Sequence, residues 1–426
     1  MGPILHRALC GLLLAMLGIR APDFFWFDVR PLAWLARGAG LAAAARATLT
    51  ARDARSPAAL AAVFLGLKAR DEARSLPKAM ACADARGEPR PCVALVTGAN
   101  SGIGFATSRT LFEQGYTVVL GCRRGRACRD AAAAIGLLET RGGNVVVPRG
   151  GLDLGALPEV RRWVSEYAAD DALPPIDVLI NNAGLTLEGK QVIPADTFFG
   201  AGRGGDGTPG VETGIAVMHI GHHALTRWLI EDRVLDAAQA RLVMVSSDAM
   251  YFGRFHASLV EAEDGMGDFA GEETIGCRSF AGAVPPFCIP PVLESDGESR
   301  NWGSYSRAKL ANVLEAKSWF SKTGMHAASV MPGMVYTKMA AKSAPALSGI
   351  SEQVQDFFMW VLLRSPRASA AVVLRALDDS AGSGRFLNGQ GQIMPDSALP
   401  PEASDPVVAE SLWAVSERML GKVKYL

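Results

Sequence analysis

Val93-Ala94-Leu95-Val96-Thr97-Gly98-Ala99-Asn100-Ser101-Gly102-Ile103-Gly104 is the stretch on which the fold turns. Its first four residues are apolar, as in a parallel strand buried on both faces, and they run straight into a glycine turn that opens a helix. Glycines at 98, 102 and 104 permit a tight turn and let the backbone approach a pyrophosphate, which then lies against the N–H groups and positive dipole end of the helix. The glycine spacing alone is weak, and its context gives it weight. Residues 117–121 form a second strand at βαβ spacing and end in Cys122-Arg123-Arg124. Sites selective for NAD usually carry an acid there to accept from the ribose 2′-hydroxyl, whereas an arginine pairs with the 2′-phosphate of NADP. Arg123 therefore points to NADP(H).

The alternation continues along the chain. Residues 144–147 read as a third strand leading to Leu152-Asp153-Leu154, and 176–180 as a fourth ending in Asn181-Asn182-Ala183-Gly184. Residues 241–245 form a fifth, ending at Ser246-Ser247. A helical pattern then carries Tyr305-Ser306-Arg307-Ala308-Lys309, and 327–330 lead to Pro332-Gly333. Repeated strand, turn and helix predict an α/β fold: a Rossmann-type doubly wound parallel sheet with right-handed crossovers and ligands at the carboxyl ends of the strands. Every motif quoted lies at such an end.

Composition sets the outer limits. The chain has 426 residues, 49% of them hydrophobic, with 43 Lys+Arg against 43 Asp+Glu, so it can bury a large core. A net charge of zero supplies no electrostatic footprint for nucleic acid. Seven cysteines, at 10, 82, 92, 122, 128, 277 and 288, form neither a dense disulfide framework nor paired zinc knuckles. They are expected to be mostly buried thiols, and no metal site is predicted. Residues 1–90 hold 13 basic and 7 acidic side chains, unlike the acidic remainder. A basic start precedes an uncharged Leu-rich run at 8–19, too short to span roughly 30 Å of hydrocarbon, and Phe24-Phe25-Trp26-Phe27 suits a membrane interface. This predicts a targeting or membrane-associated extension over 1–90, directing the protein to the endoplasmic reticulum or another organelle, ahead of a catalytic domain at 91–426.

Together, TGxxxGxG at 97–104, the Leu-Asp pair at 152–153, NNAG at 181–184, Ser247, YxxxK at 305–309 and Pro-Gly at 332–333 resemble the short-chain dehydrogenase/reductase family. The retinol dehydrogenase-like branch is the most similar, through His219-Ile220-Gly221-His222, Lys309-Leu310-Ala311-Asn312 and Leu412-Trp413. The resemblance implies that Ser247, Tyr305 and Lys309 are catalytic. It places Gly98, Asn100, Ser101, Gly102, Ile103 and Gly104 at the cofactor phosphates, Asp153 near the adenine, and Asn181, Ala183 and Gly184 behind the ribose. Pro332, Gly333 and Thr337 fall near the nicotinamide amide, and Tyr305 and Lys309 also touch the cofactor. The chemistry agrees: reducing a carbonyl needs a proton donor, and a phenol with a pKa near 10 is poorly matched to neutral pH. Four residues apart on a helix, Tyr305 and Lys309 share a face, so the ammonium is expected to favour the tyrosinate and to reach the nicotinamide ribose. Ser247 would hold the substrate oxygen near Tyr305. The resemblance also implies a helix-mediated homo-oligomer.

Two departures stand out. Members of this branch usually have asparagine where Met218 stands, holding a water linked to the lysine. A thioether is at best a weak acceptor, so the proton relay is expected to be weakened, or rerouted through His219. His222 and His223 read as packing or surface histidines. Between Ser247 and Tyr305 lie 57 residues, an insertion over about 252–302 whose ends both flank the site mouth. Light-dependent protochlorophyllide reductases carry extra sequence in a comparable place. Residues 354–363 include Phe357-Phe358-Met359-Trp360, which points to a greasy substrate or to packing. The expected function is an NADP-dependent oxidoreductase acting on a small apolar alcohol or carbonyl compound of retinoid-, steroid- or lipid-like character. The alternatives are a non-catalytic NADP-binding scaffold and, more distantly, a light-driven tetrapyrrole reductase.

Overall fold

The computed structural model describes residues 76–83, 86–123, 125–138, 142–186, 191–202, 210–253, 255, 302–333, 335, 363–378 and 382–423. Residues 1–75, Arg124, Thr337, nearly all of the 252–302 insertion and the aromatic cluster at 357–360 lie outside them. Eight strands share one sheet: β1 Val93–Thr97, β2 Thr117–Gly121, β3 Val145–Val146, β4 Val178–Asn181, β5 Arg241–Val245, β6 His326–Val330, β7 Arg385–Leu387 and β8 Ile393–Met394. Their spatial order is β3-β2-β1-β4-β5-β6-β7-β8. All pairings are parallel except that of β8, which is antiparallel to β7. The order reverses between β1 and β4, so a crevice opens there at the carboxyl edge.

Period-two alternation of apolar side chains builds the two layers. Ala94, Val96, Val118, Leu120, Val178, Ile180, Val243 and Val245 face one core, which is covered by α1 Gly102–Glu113, α2 Arg126–Gly136 and α6 Pro366–Arg375. Val93, Leu95, Val119, Leu179, Leu242 and Met244 face the other, under α3 Leu157–Ala168, α4 Gly221–Glu231, α5 Trp302–Thr323 and α7 Pro406–Leu420. A single π-helical turn, Ala216–Ile220, leads into α4.

Residues 82–92 are tied to the sheet. Cys82–Ala83 pairs antiparallel with Pro89–Arg90, and Cys82 is disulfide-bonded to Cys92. Arg90 grips Asp177 with two 2.7 Å bonds, and the same carboxylate accepts from the Val93 N–H. A second disulfide joins Cys122 to Cys128. The expectation of buried thiols is therefore corrected for four of the seven cysteines. Both bridges join chain-adjacent segments whose Cα atoms lie 5.2 and 6.1 Å apart, within bridging range. Among the described residues no helix is long and apolar enough to cross a membrane. Of the extension predicted over 1–90, residues 1–75 lie outside them, and 82–83 and 89–90 form the strand pair described above.

Candidate active site

The crevice between β1 and β4 is built by mutual bracing of the glycine turn and the NNAG segment. The Asn182 and Ala183 N–H groups both donate to Thr97 Oγ1 at 2.9 Å, and Asn182 Nδ2 donates to the Thr97 carbonyl at 2.8 Å. His222 completes the lattice, 2.9 Å from Thr97 Oγ1 through Nε2 and 3.0 Å from the Met218 carbonyl through Nδ1. A carbonyl only accepts, so Nδ1 carries the proton and Nε2 accepts from the threonine hydroxyl. Complete burial pushes the His222 pKa down to about 3, which keeps this neutral tautomer. Gly98 takes a φ of +65°, and a Cβ on Gly104 would lie 2.3 Å from the Gly98 oxygen and 2.5 Å from Asn182 Nδ2. Backbone thus occupies the space of a side chain, as a close-packed phosphate cradle requires. At the start of α1, Ser101 is extended and forms no side-chain cap bond, so the first-turn N–H groups are directed to the crevice end. This cradle fits a dinucleotide pyrophosphate.

Arg123, Asp153, Pro332 and Gly333 line the same edge, and Thr337 lies outside the described residues. Arg123 is exposed just past the end of β2, whose Gly121 carbonyl accepts from the Gly98 N–H at 2.7 Å. Asp153 follows Leu152, whose N–H bonds to the Cys122 carbonyl, and its side chain accepts from the Gly155 N–H. Pro332 and Gly333 follow β6; Arg364 donates to the Pro332 and Gly389 carbonyls and so holds the loop. Asn181 differs from expectation: its side chain is fully buried and donates to Thr226 Oγ1 and Met244 Sδ, turning into the core and away from the crevice.

Ser247, Tyr305 and Lys309 come together from β5 and α5. Ser247 opens a short 3₁₀ turn, Asp248–Phe252, and accepts from the Ala249 N–H. Its hydroxyl is hydrogen-bonded to Tyr305. The end of β5 is fastened to α5: Ser246 Oγ donates to the Lys309 carbonyl at 2.6 Å, while Lys309 Nζ and Asn312 Nδ2 donate to the Val245 carbonyl at 2.9 and 3.0 Å. Lys309 Nζ lies 5.6 Å from the Tyr305 ring centre. Burial pushes the Tyr305 phenol up from its ordinary value of 10.0, and the Ser247 bond offsets this in part. The Asp248 charge raises it further, while Lys309 Nζ is held by the Val245 carbonyl and is itself pushed down to about 8 by burial.

Met218 stands beside the lysine, and of the histidines it is His219 that departs from expectation. Cβ atoms built on Gly184 would lie 3.5 Å from both Met218 Sδ and Lys309 Nζ, so the thioether and the ammonium flank the same glycine. His219 does not serve Lys309; its Nε2 bonds to Ser416 Oγ at 3.0 Å and its Nδ1 lies 3.8 Å from Glu315 Oε2. His223 is fully buried, the packing alternative of the two expected, and bridges Glu315 at 2.6 Å and Glu417 at 3.0 Å. These carboxylates hold it up at about 9 against the opposing effect of burial. Thr97, Ser246 and His222 are the supporting residues that reasoning from sequence missed as site members. The threonine heading the glycine motif was the one visible signal.

Four matches to known proteins bear on this arrangement. Residues 92–259 match the family model described as short chain dehydrogenase. Dehydrogenase/reductase SDR family member 13 of Bos taurus is 30% identical over 335 residues, covering 77% of this chain and 73% of the relative. Retinol dehydrogenase 14 of Mus musculus is 28% identical, covering 78% and 86%. Protochlorophyllide reductase of Avena sativa is 27% identical, covering 77% and 99%.

Proposed function

Because the chain belongs to the short-chain dehydrogenase/reductase family of oxidoreductases, we propose that it exchanges a hydride between NADP(H) and an apolar alcohol or carbonyl compound of retinoid-, steroid- or lipid-like character. The observation that carries this reading is the convergence of Ser247, Tyr305 and Lys309 beside a glycine cradle at the switch point of the sheet. The first-turn N–H groups of α1 would hold the pyrophosphate, and Arg123 the 2′-phosphate. When bound, the reduced nucleotide supplies the hydride. The Tyr305 phenol, kept protonated by burial, gives its proton to the substrate oxygen, and Ser247 holds that oxygen by a second hydrogen bond. The Lys309 charge then offsets the tyrosinate left behind. The Pro332-Gly333 loop with Thr337 would face the nicotinamide amide.

The apolar substrate class is supported by the similarity to a retinol dehydrogenase and by the aromatic pattern at 357–360. Attachment to the endoplasmic reticulum or another organelle is supported by the sequence of residues 1–90. The test is consumption of NADPH and NADH against apolar aldehydes and ketones, with Tyr305→Phe as the matched control. Turnover with NADPH that vanishes in the variant supports the reading; NADPH binding without turnover on any carbonyl opposes it. A second reading, reduction of a tetrapyrrole, is favoured by the similarity to protochlorophyllide reductase over 99% of that relative. It predicts pigment binding visible by absorbance, with turnover that stops in the dark.

A further inference from the structure

The Cys122–Cys128 bridge closes the loop that carries Arg123. Cys122 directly follows β2, and Cys128 lies in the first turn of α2. The segment is tied to the cofactor crevice on its β2 side: the Gly121 carbonyl accepts from Gly98 of the glycine turn, and the Cys122 carbonyl from Leu152, next to Asp153. On the α2 side the ties are sparse. The helix starts at Gly125 without a side-chain cap, has no acid in its first turn, and buries Cys128, Ala131 and Ile135 against the sheet. Beside this packing, with Ala132 and Leu138 against the same core, the covalent link fixes the first turn of α2 to the residue that follows β2.

We propose that the Cys122–Cys128 disulfide is a positioning element for cofactor selection, holding the end of β2 against the first turn of α2 so that Arg123 meets the 2′-phosphate, and that its reduction weakens NADPH binding selectively. The inference rests on the reading of Arg123 as the 2′-phosphate partner. The redox step is thiol–disulfide exchange with a dithiol. One thiolate attacks a sulfur of the pair to give a mixed disulfide. The second thiol of the reagent displaces the protein sulfur, closing the reagent's own disulfide. Two electrons and two protons pass to the protein, leaving Cys122 and Cys128 as thiols. The pyrophosphate cradle, built from Gly98, Gly104 and Asn182, has no part in the bridge, so recognition common to NADH and NADPH stays intact.

The experiment uses the full chain purified without reductant. Peptide mapping after thiol alkylation reads the bridge, and titration of intrinsic fluorescence gives dissociation constants for NADPH and NADH before and after dithiothreitol, and in Cys128→Ser and Cys122→Ser. Cys82→Ser controls for loss of the other bridge. The expected result is an NADPH constant about tenfold higher in the reduced chain and in both variants, NADH unchanged, Cys82→Ser like wild type, and recovery on reoxidation. Alkylation of Cys122 and Cys128 as thiols in the unreduced protein overturns the proposal. Equal weakening of both nucleotides, or no weakening, overturns it too. If the oxidised wild type shows no preference for NADPH, the Arg123 reading itself fails, a result seen before any reductant is added.

Discussion

Glu315→Gln isolates a buried charge pair that locks the catalytic helix to its neighbours. Glu315 on α5 is 1% exposed and His223 on α4 is 0% exposed. Their 2.6 Å bond is flanked by a 2.6 Å bond from Trp319 Nε1 and by the contact of His223 with Glu417 on α7. Glutamine keeps an acceptor for Trp319 but removes the stronger of the two carboxylate charges that hold His223 protonated, Glu417 being the other. His223 is raised from 6.5 to about 9, and each pKa unit is worth about 1.4 kcal/mol, so the shift corresponds to roughly 3 kcal/mol. That agrees with the cost of about 3–5 kcal/mol for removing one partner of a buried pair. The sign follows from the direction of each shift. The raised histidine stabilises fully below 6.5, and this is lost as pH climbs through about 9. The lowered Glu315 stabilises above 4.5 and loses that as pH falls. The substitution is therefore expected to cost about 3 kcal/mol near pH 6 and much less above about pH 9. Urea unfolding followed by tryptophan fluorescence at the two pH values reads the difference. A loss below about 1 kcal/mol near pH 6, or an equal loss at both values, would refute the reasoning.

Three further outcomes are expected. Gly104→Ala forces a methyl within 2.3 Å of the Gly98 carbonyl and should raise the NADPH dissociation constant at least about tenfold; unchanged affinity in a calorimetric titration contradicts the cradle. In the reductive direction kcat/KM should fall as pH rises through about 8, where Lys309 loses its charge, since burial keeps Tyr305 protonated there. A profile flat to about pH 10 would remove Lys309 from the reading. Asp177→Asn should weaken the hold on Arg90 and cost about 1–3 kcal/mol in thermal unfolding, because the carboxylate accepts from both the guanidinium and the Val93 N–H. A melting temperature matching wild type would show that this anchor carries no stability.

Where apolar runs were continuous, local sequence was enough. The strands at 93–97, 117–121 and 241–245 end where their glycine, cysteine or serine motifs begin, because a strand buried on both faces admits little but apolar side chains. Placement of Ser247, Tyr305 and Lys309 at one edge followed from strand–turn–helix alternation. What escaped were properties of distance and burial. The pairing of Cys122 with Cys128 depends on a 6.1 Å approach of their Cα atoms, to which spacing is blind. The roles of His222 and His223 depend on partners 125 and 92 residues distant. Asn181 belongs to a cofactor motif, yet strand alternation turns its side chain toward Thr226 and Met244. The direction of the Tyr305 shift was also missed, since it is set by burial and by the Asp248 charge.

The most direct test of the central claim is NADPH oxidation by the full chain over a panel of apolar aldehydes and ketones, run beside Tyr305→Phe and repeated with NADH. The account predicts carbonyl-dependent turnover with NADPH, weaker turnover with NADH, and loss of both in the variant. Turnover that persists in Tyr305→Phe, or none with any carbonyl despite tight NADPH binding, would contradict it.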